Sequence, residues 1–212
     1  MKKIFYIQKH ALWRQSKTEK TPNVKFIPSL LCRRLTKVEK TGVFLAHKLE
    51  PLPENCQIVF ASRFGEWQQT IDLIHQFFNE KEMSPAGFSH SVHNAMPGVL
   101  SVLTKNMNSY TSIAAKEWTI ENALTETFCT AKPVLFVFAE EETPEFYRPK
   151  FSNAFDGYGA AFIITDEPTP SAQKISVEFT EQNTQPISFD DLCEFLSGGK
   201  ILTGTQFVVR KI

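Results

Sequence analysis

Ser84–Phe128, SPAGFSHSVHNAMPGVLSVLTKNMNSYTSIAAKEWTIENALTETF, decides how the rest of the chain is read. The polar loop Ser89–Asn94 predicts a helix start, because Val92, Met96, Val99, Leu100 and Leu103 recur at helical spacing behind it. Lys105–Ser109 breaks that period. Tyr110–Ala114 is short, β-branched and aromatic, which predicts a buried strand. Trp118, Leu124 and Phe128 then open another helix. A loop, a helix, a short strand and a second helix in one stretch point to a layered α/β unit.

Outward from this stretch the same alternation continues. On the N-terminal side, Ile4–Ile7 predicts a buried first strand, and Lys9–Asn23 a long irregular connection. Leu31, Leu35, Val38, Leu45 and Leu49 mark one amphipathic helix that begins at Pro28-Ser29 and stops at Pro51 and Pro53. Gln57–Ala61 predicts a strand, Ser62–Glu66 a turn, and Trp67, Ile71, Ile74 and Phe78 a helix. On the C-terminal side, Val134–Ala139 is a continuous apolar run of the kind found in parallel sheets covered on both faces. Glu140-Glu141-Glu142 follows it and reads as a solvated acidic run. Gly157 and Gly159 permit a turn into the strand Ala160–Thr165. Ile175–Phe179 predicts an edge strand, Ser188 caps a short helix with Asp190 and Asp191 in its first turn, and Gln206–Arg210 predicts a last strand.

The 212 residues include 42% hydrophobic residues and nineteen phenylalanines, enough for a sizeable core. Basic and acidic residues balance at 23 each, so nothing favours a nucleic-acid partner. Cys32, Cys56, Cys129 and Cys193 are widely spaced and fit free thiols in a reducing compartment. No apolar run approaches the roughly 18 residues of a membrane helix, so the expectation is a cytoplasmic protein without a membrane partner. His90 and His93 are spaced to share a helix face, but zinc needs further ligands that are not close by. Capping or packing is the reading for both, and no metal or cofactor is expected.

With these elements placed, the central stretch resembles the middle of the N-terminal half of a β-ketoacyl synthase, a thiolase-superfamily enzyme. Two flanking segments are similar as well. PSLLCRRLTKVEKTGVFLAHKL resembles an "RR…K" helix of short ketosynthase-like proteins, and FSNAFDGYGAAFIITDEP resembles an "FD…GYG" loop feeding a strand. SRFGE departs from the "GT…G" loop of those enzymes. The resemblance covers about residues 1–165, with 166–212 left as a strand–helix–strand extension of a single domain over 1–212. It implies an α/β, thiolase-like fold, a mixed and mostly parallel sheet with helices on both faces.

In ketosynthases the strand matching Tyr110–Ala114 ends at a catalytic Cys on the next helix N-terminus. Here that place reads Ser112-Ile113-Ala114-Ala115-Lys116-Glu117-Trp118, and the nearest cysteine is Cys129. The thiolate that would take up an acyl group is therefore missing. None of His10, His47, His75, His90 or His93 sits in the family's histidine motifs. The resemblance thus implies a noncatalytic, chain-length-factor-like subunit, similar to the short proteins of aryl polyene and type II polyketide systems. Its implied partner is a full-length β-ketoacyl-ACP synthase, in a heterodimer that meets acyl carrier protein indirectly. Tyr110–Ala114 would pair across the dimer axis, placing Tyr110, Ser112, Ile113, Ala114 and Trp118 near the partner's acyl tunnel, while Arg33 and Arg34 would touch the partner or carrier. The alternatives are an acyltransferase built on Ser112 or Ser62, and a stand-alone acyl-carrier or lipid-binding protein.

Overall fold

Apolar runs too short for membrane spans and too regular for loops become strands, and the amphipathic segments between them become their cover. A computed structural model describes residues 2–212. In chain order its elements are β1 (Lys2–Arg14), α1 (Ser29–Cys32), α2 (Lys37–Lys48), β2 (Gln57–Ala61), α3 (Trp67–Glu80), α4 (Pro85–Ser89), α5 (Ala95–Thr104), β3 (Tyr110–Ile113), α6 (Thr119–Cys129), β4 (Val134–Glu140), β5 (Tyr158–Thr165), β6 (Gln173–Phe179), α7 (Phe189–Ser197), β7 (Ile201–Thr203) and β8 (Phe207–Lys211). Within the described residues the strands form one eight-stranded sheet, in the order β3-β2-β4-β5-β1-β6-β8-β7.

Helices cover both faces, as the resemblance implied. Leu45 and Leu49 of α2 and Met96 and Leu100 of α5 pack on Ile58, Phe60, Leu135 and Ile163. On the other face Leu124 and Phe128 of α6 and Leu192 and Phe195 of α7 pack on Phe136, Phe162, Ile164 and Val177. Each strand thus sends alternate side chains into two separate cores, and each large side chain buried contributes ~1.5–3 kcal/mol. Most of the phenylalanines are spent in these two layers.

The sheet is mixed, but the expectation that it is mostly parallel is corrected. Of the seven strand pairings among the described residues, five are antiparallel, and only β2 with β3 and β2 with β4 are parallel. A continuous apolar run reports burial on both faces, and the antiparallel strand β5 satisfies that as well as a parallel one. Parallel order is confined to strands joined by helical crossovers, β2 to β3 through α3–α5 and β3 to β4 through α6.

Four local expectations also change. β1 continues through Lys9 to Arg14, because beyond a register shift between Ile7 and Lys9 it still pairs with β5. The stretch from Pro28 to Leu49 is two helices, because Thr36 forms a capping box with Glu39 and starts α2 anew. β6 lies inside the sheet between β1 and β8, and the three-residue β7 takes the edge. Glu140 and Glu141 are buried, at 1% and 5% exposure. Glu140 is the last residue of a wholly buried strand.

Gly159 shows how closely the layers approach. A Cβ there would lie 2.8 Å from the Phe138 carbonyl oxygen and 2.8 Å from Leu45 Cδ1. The carbonyl belongs to the neighbouring strand and cannot move aside. Gly159→Ala is therefore expected to destabilise the fold by ~1–3 kcal/mol in urea unfolding.

Candidate functional site

The open edge of the sheet is the first part of the site. β3 pairs with β2 on one side, through Ile58 N to Ser109 O at 3.1 Å and Ser62 N to Ile113 O at 3.2 Å. In a parallel ladder, backbone groups alternate in direction. The N–H and C=O groups of Tyr110 and Ser112 therefore face outward, where no strand pairs with them among the described residues. Against the expectation of a buried strand, Tyr110 and Thr111 are exposed.

Tyr110 extends the edge into a groove of about 370 Å³ lined mainly by Leu31, Val92, Val99, Val102 and Tyr110, with Glu39 and His90 also in its lining. Asn94 Nδ2 donates to the Tyr110 hydroxyl at 3.3 Å. His90 Nδ1 lies 2.6 Å from Glu39 Oε1, and His93 Nε2 lies 2.8 Å from the Ser62 carbonyl. Both histidines therefore pack and bond internally.

The second part is the turn from β3 into α6. Lys116 holds φ +52°, a left-handed conformation that strains a non-glycine residue. Thr119 secures the turn, since its hydroxyl accepts from Ala115 N at 2.9 Å and donates to Lys116 O at 2.7 Å. A single 3₁₀ turn, Lys116–Trp118, then leads into α6. This sharp strand-to-helix elbow is built from Ala114, Ala115, Lys116 and Glu117. Cys129 ends α6, an eleven-residue helix, which puts it ~16 Å along the axis from the turn.

Beside the elbow, at the carboxyl ends of β2 and β4, lies a crevice of about 360 Å³. Phe138, Tyr158, Phe189 and Ile120 wall it, and Arg63, Lys116 and Glu117 stand on its rim. Arg63 pairs with Glu117 at 2.9 Å. The loop 62–66 is tied down from below by Glu140, which accepts from Arg63 N, from Phe64 N at 3.4 Å and from Ser62 Oγ at 3.1 Å. Ser62 Oγ in turn accepts from Gly65 N at 2.8 Å. Phe64 stacks on Trp67 at 4.5 Å and on Phe155 at 5.7 Å, so aromatic packing seals the loop from above.

Burial pushes the Glu140 carboxyl up to about 8, against the three donors that favour its charge. Burial likewise raises Glu141 to about 6, although Gln68 N donates to it at 2.7 Å. Glu66 is raised well above its ordinary value, first by burial and then by the neighbouring Glu39, Glu141 and Glu140. The Tyr158 hydroxyl is also pushed up, by burial and by Glu140.

Residues 7–197 match the family described as Beta-ketoacyl synthase, N-terminal domain. The chain belongs to that family. Its fold is the thiolase-like ketosynthase fold. One similar solved chain is in the complex of the ketosynthase ApeO with its chain length factor ApeC from Xenorhabdus doucetiae. It shares 21% identity at a TM-score of 0.72, over 90% of this chain and 84% of that one. A second is in AntDE:AntF, a type II PKS acyl-carrier protein in complex with its ketosynthase bound to the hexaketide. That likeness has 15% identity and a TM-score of 0.61, over 77% of this chain and 63% of that one. No curated protein matches the chain in sequence.

The residues singled out from the sequence do not converge on one cavity. Tyr110 lines the groove on the α5 side, whereas Ile113 packs into the α6 core on the opposite face. The Ser112 hydroxyl is buried without a hydrogen-bond partner, and Ala114 is exposed. Trp118 caps α6 and is 40% exposed. Arg33 and Arg34 stand exposed at the break between α1 and α2, and neither makes an ion pair among the described residues. Ser62 is fully buried and bonded to Glu140, so its hydroxyl is closed to an acyl donor. Sequence reading missed the crevice residues Arg63, Glu117, Glu140 and Tyr158. The one available signal was that the first Glu of the run Glu140-Glu141-Glu142 directly continues the apolar stretch VLFVFA.

The raised carboxyls set a pH dependence of stability. Between about 4.5 and 8 the unfolded chain has released the Glu140 proton while the folded chain retains it. Raising pH through this window therefore favours unfolding, and the effect levels off above about 8. Thermal unfolding is expected at lower temperature at pH 8 than at pH 5, with a stability difference of a few kcal/mol. Glu140→Gln should make that slope shallower.

Proposed function

We propose that this chain is a noncatalytic, chain-length-factor-like subunit of a full-length β-ketoacyl-ACP synthase. The observation that carries this reading is the open β3 edge running directly into an elbow on which no cysteine stands. The Tyr110 and Ser112 backbone groups offer a row of unpaired donors and acceptors, which a strand of the partner would complete into one continuous sheet. Apolar surface lies beside that row, with Val102 at 76% and Met107 at 95% exposure. Such surface on a protein with an otherwise full core fits a partner interface.

On this reading the chain acts as one ketosynthase-like unit in the cytoplasm. The partner supplies the nucleophile and receives acyl groups from carrier protein, and this chain meets the carrier indirectly. Tyr110 and the groove beside it border the partner's acyl tunnel and limit how far a polyene or polyketide chain can grow. A fatty-acid-like elongation would use the same arrangement.

Two measurements test this. The first is co-expression with a full-length ketosynthase from the same genome and purification through a tag on one chain. A stable one-to-one complex is expected. Ser112→Pro removes an outward-facing N–H, which an edge strand tolerates, and a hydroxyl that bonds to nothing, so the isolated subunit should keep its fold while co-purification is lost. Recovery of the complex unchanged with Ser112→Pro, or separate elution of the two wild-type chains, refutes the pairing. The second is product analysis by mass spectrometry for Tyr110→Ala, which should give longer or mixed chain lengths. An unchanged distribution argues against a tunnel role for Tyr110.

A further inference from the structure

Four carboxyl groups from three segments of the chain gather at the start of α3. Glu39 comes from α2, Glu66 immediately precedes α3, and Glu140 and Glu141 come from the end of β4; all four are buried. Three of them have partners. Glu39 accepts from Thr36 N at 2.8 Å and lies 2.6 Å from His90 Nδ1, Glu140 takes the Ser62 hydroxyl and two amides, and Glu141 takes Gln68 N at 2.7 Å. Glu66 is different, because its Oε2 is buried without a hydrogen-bond partner. The cationic and imidazole groups nearby are committed to other residues: Lys37 to Glu142, Arg63 to Glu117, His90 to Glu39 and His93 to the Ser62 carbonyl. A charged Glu66 would stand among Glu39, Glu140 and Glu141 with that oxygen unsatisfied, a cost that the neutral carboxyl avoids.

The helix that Glu66 introduces is lightly held. Of the fourteen residues of α3 only Ile71 and Leu73 are buried. The apolar stripe that Ile71 begins continues at helical spacing through Ile74 and Phe78, yet both are exposed, as is Phe77 beside them. The attachments lie in the first turn: Gln68 N on Glu141, Trp67 against Tyr147 at 4.9 Å, and Gln69 Nε2 on Gly87 O at 3.1 Å. An element with so few buried apolar contacts opens at a lower free energy than the sheet. We infer that Glu66 is a proton-operated latch: with its carboxyl neutral α3 stays seated beside α2, and loss of that proton releases residues 66–80 while the sheet stays folded. In the seated form burial, and after it Glu39, Glu141 and Glu140, keeps the proton on Glu66 well above the ordinary carboxyl range. Once the segment lifts, the carboxyl meets water and gives the proton up. Each opening therefore releases one proton, and opening grows more favourable as pH rises. The open form adds the Trp67, Ile71 and Leu73 side of α3 to the exposed Ile74, Phe77 and Phe78. The latch belongs to the isolated chain and does not depend on a ketosynthase partner.

The test is amide hydrogen exchange of the full chain from about pH 6.5 to about pH 8.5, with each rate divided by the intrinsic rate at that pH. This window lies above the value of about 6 to which burial raises Glu141, the other carboxyl bonded to α3. The amides of residues 71–78 are expected to exchange faster than those of β4 and β5, with an opening constant that rises about tenfold per pH unit, the slope of one released proton. Glu66→Gln, neutral at every pH and of the same shape, should keep α3 seated and its opening constant flat across the window. Glu140→Gln should leave the α3 slope in place, which separates the latch from the pH dependence of the whole fold. Circular dichroism checks that each variant is folded, and the wild-type slope is a test by itself. The inference is overturned by a flat opening constant in the wild-type chain, by a slope that survives Glu66→Gln or vanishes in Glu140→Gln, or by α3 amides as protected as those of β4, which would make the opening global.

Discussion

The buried carboxyl of Glu140 is the contact on which the functional end of the molecule depends. It ends β4 and holds the loop that follows β2, accepting from two backbone amides and one hydroxyl of residues 62–64. That loop determines where α3 begins, where Arg63 reaches the rim, and how the crevice is floored. A charged carboxylate at this depth would be expensive to bury. Burial drives the group toward its neutral form, while the three donors pull it back toward the charged one.

The helical cover has a second consequence. With both faces of the sheet packed, the free backbone groups of the fold collect at its ends. At one end β7 is only three residues long, a short edge of the kind that resists unwanted pairing. At the other end β3 is short too, but it is flanked by apolar side chains of α5 and the segment after it, including Val102 and Met107. Both edges are short, and each carries an exposed apolar residue, Ile201 at one and Tyr110 at the other. The elbow at the end of β3 keeps its strained backbone, with Lys116 at φ +52°, and Thr119 pins it from within the next helix. The residues upon that turn are Ala114, Ala115, Lys116 and Glu117.

The sequence by itself determined the element alternation, the positions of most strands and the family, because these follow from local periodicity and from short motifs. QIVFA at 57–61 became a strand with those bounds, and the helix after Asn94 formed where its apolar period placed it. Ser188 capped its helix because a capping box with Asp191 is a matter of neighbouring residues alone.

Tertiary structure alone decided the rest. Strand direction depends on which partners lie on either side, and an apolar run such as VLFVFA reads the same whether its neighbours run parallel or antiparallel. The length of β1 came from its pairing with β5, not from its own alternation of polar and apolar residues. The acidic run 140–142 looked solvated because neighbouring carboxylates usually are. Glu140 is buried only because the loop 62–66, far away in sequence, brings its amides to it. The gathering of Arg63, Glu117, Phe138 and Tyr158 around one crevice is likewise a product of long-range packing that no local pattern encodes; the opposite faces of Tyr110 and Ile113, by contrast, follow from strand alternation alone.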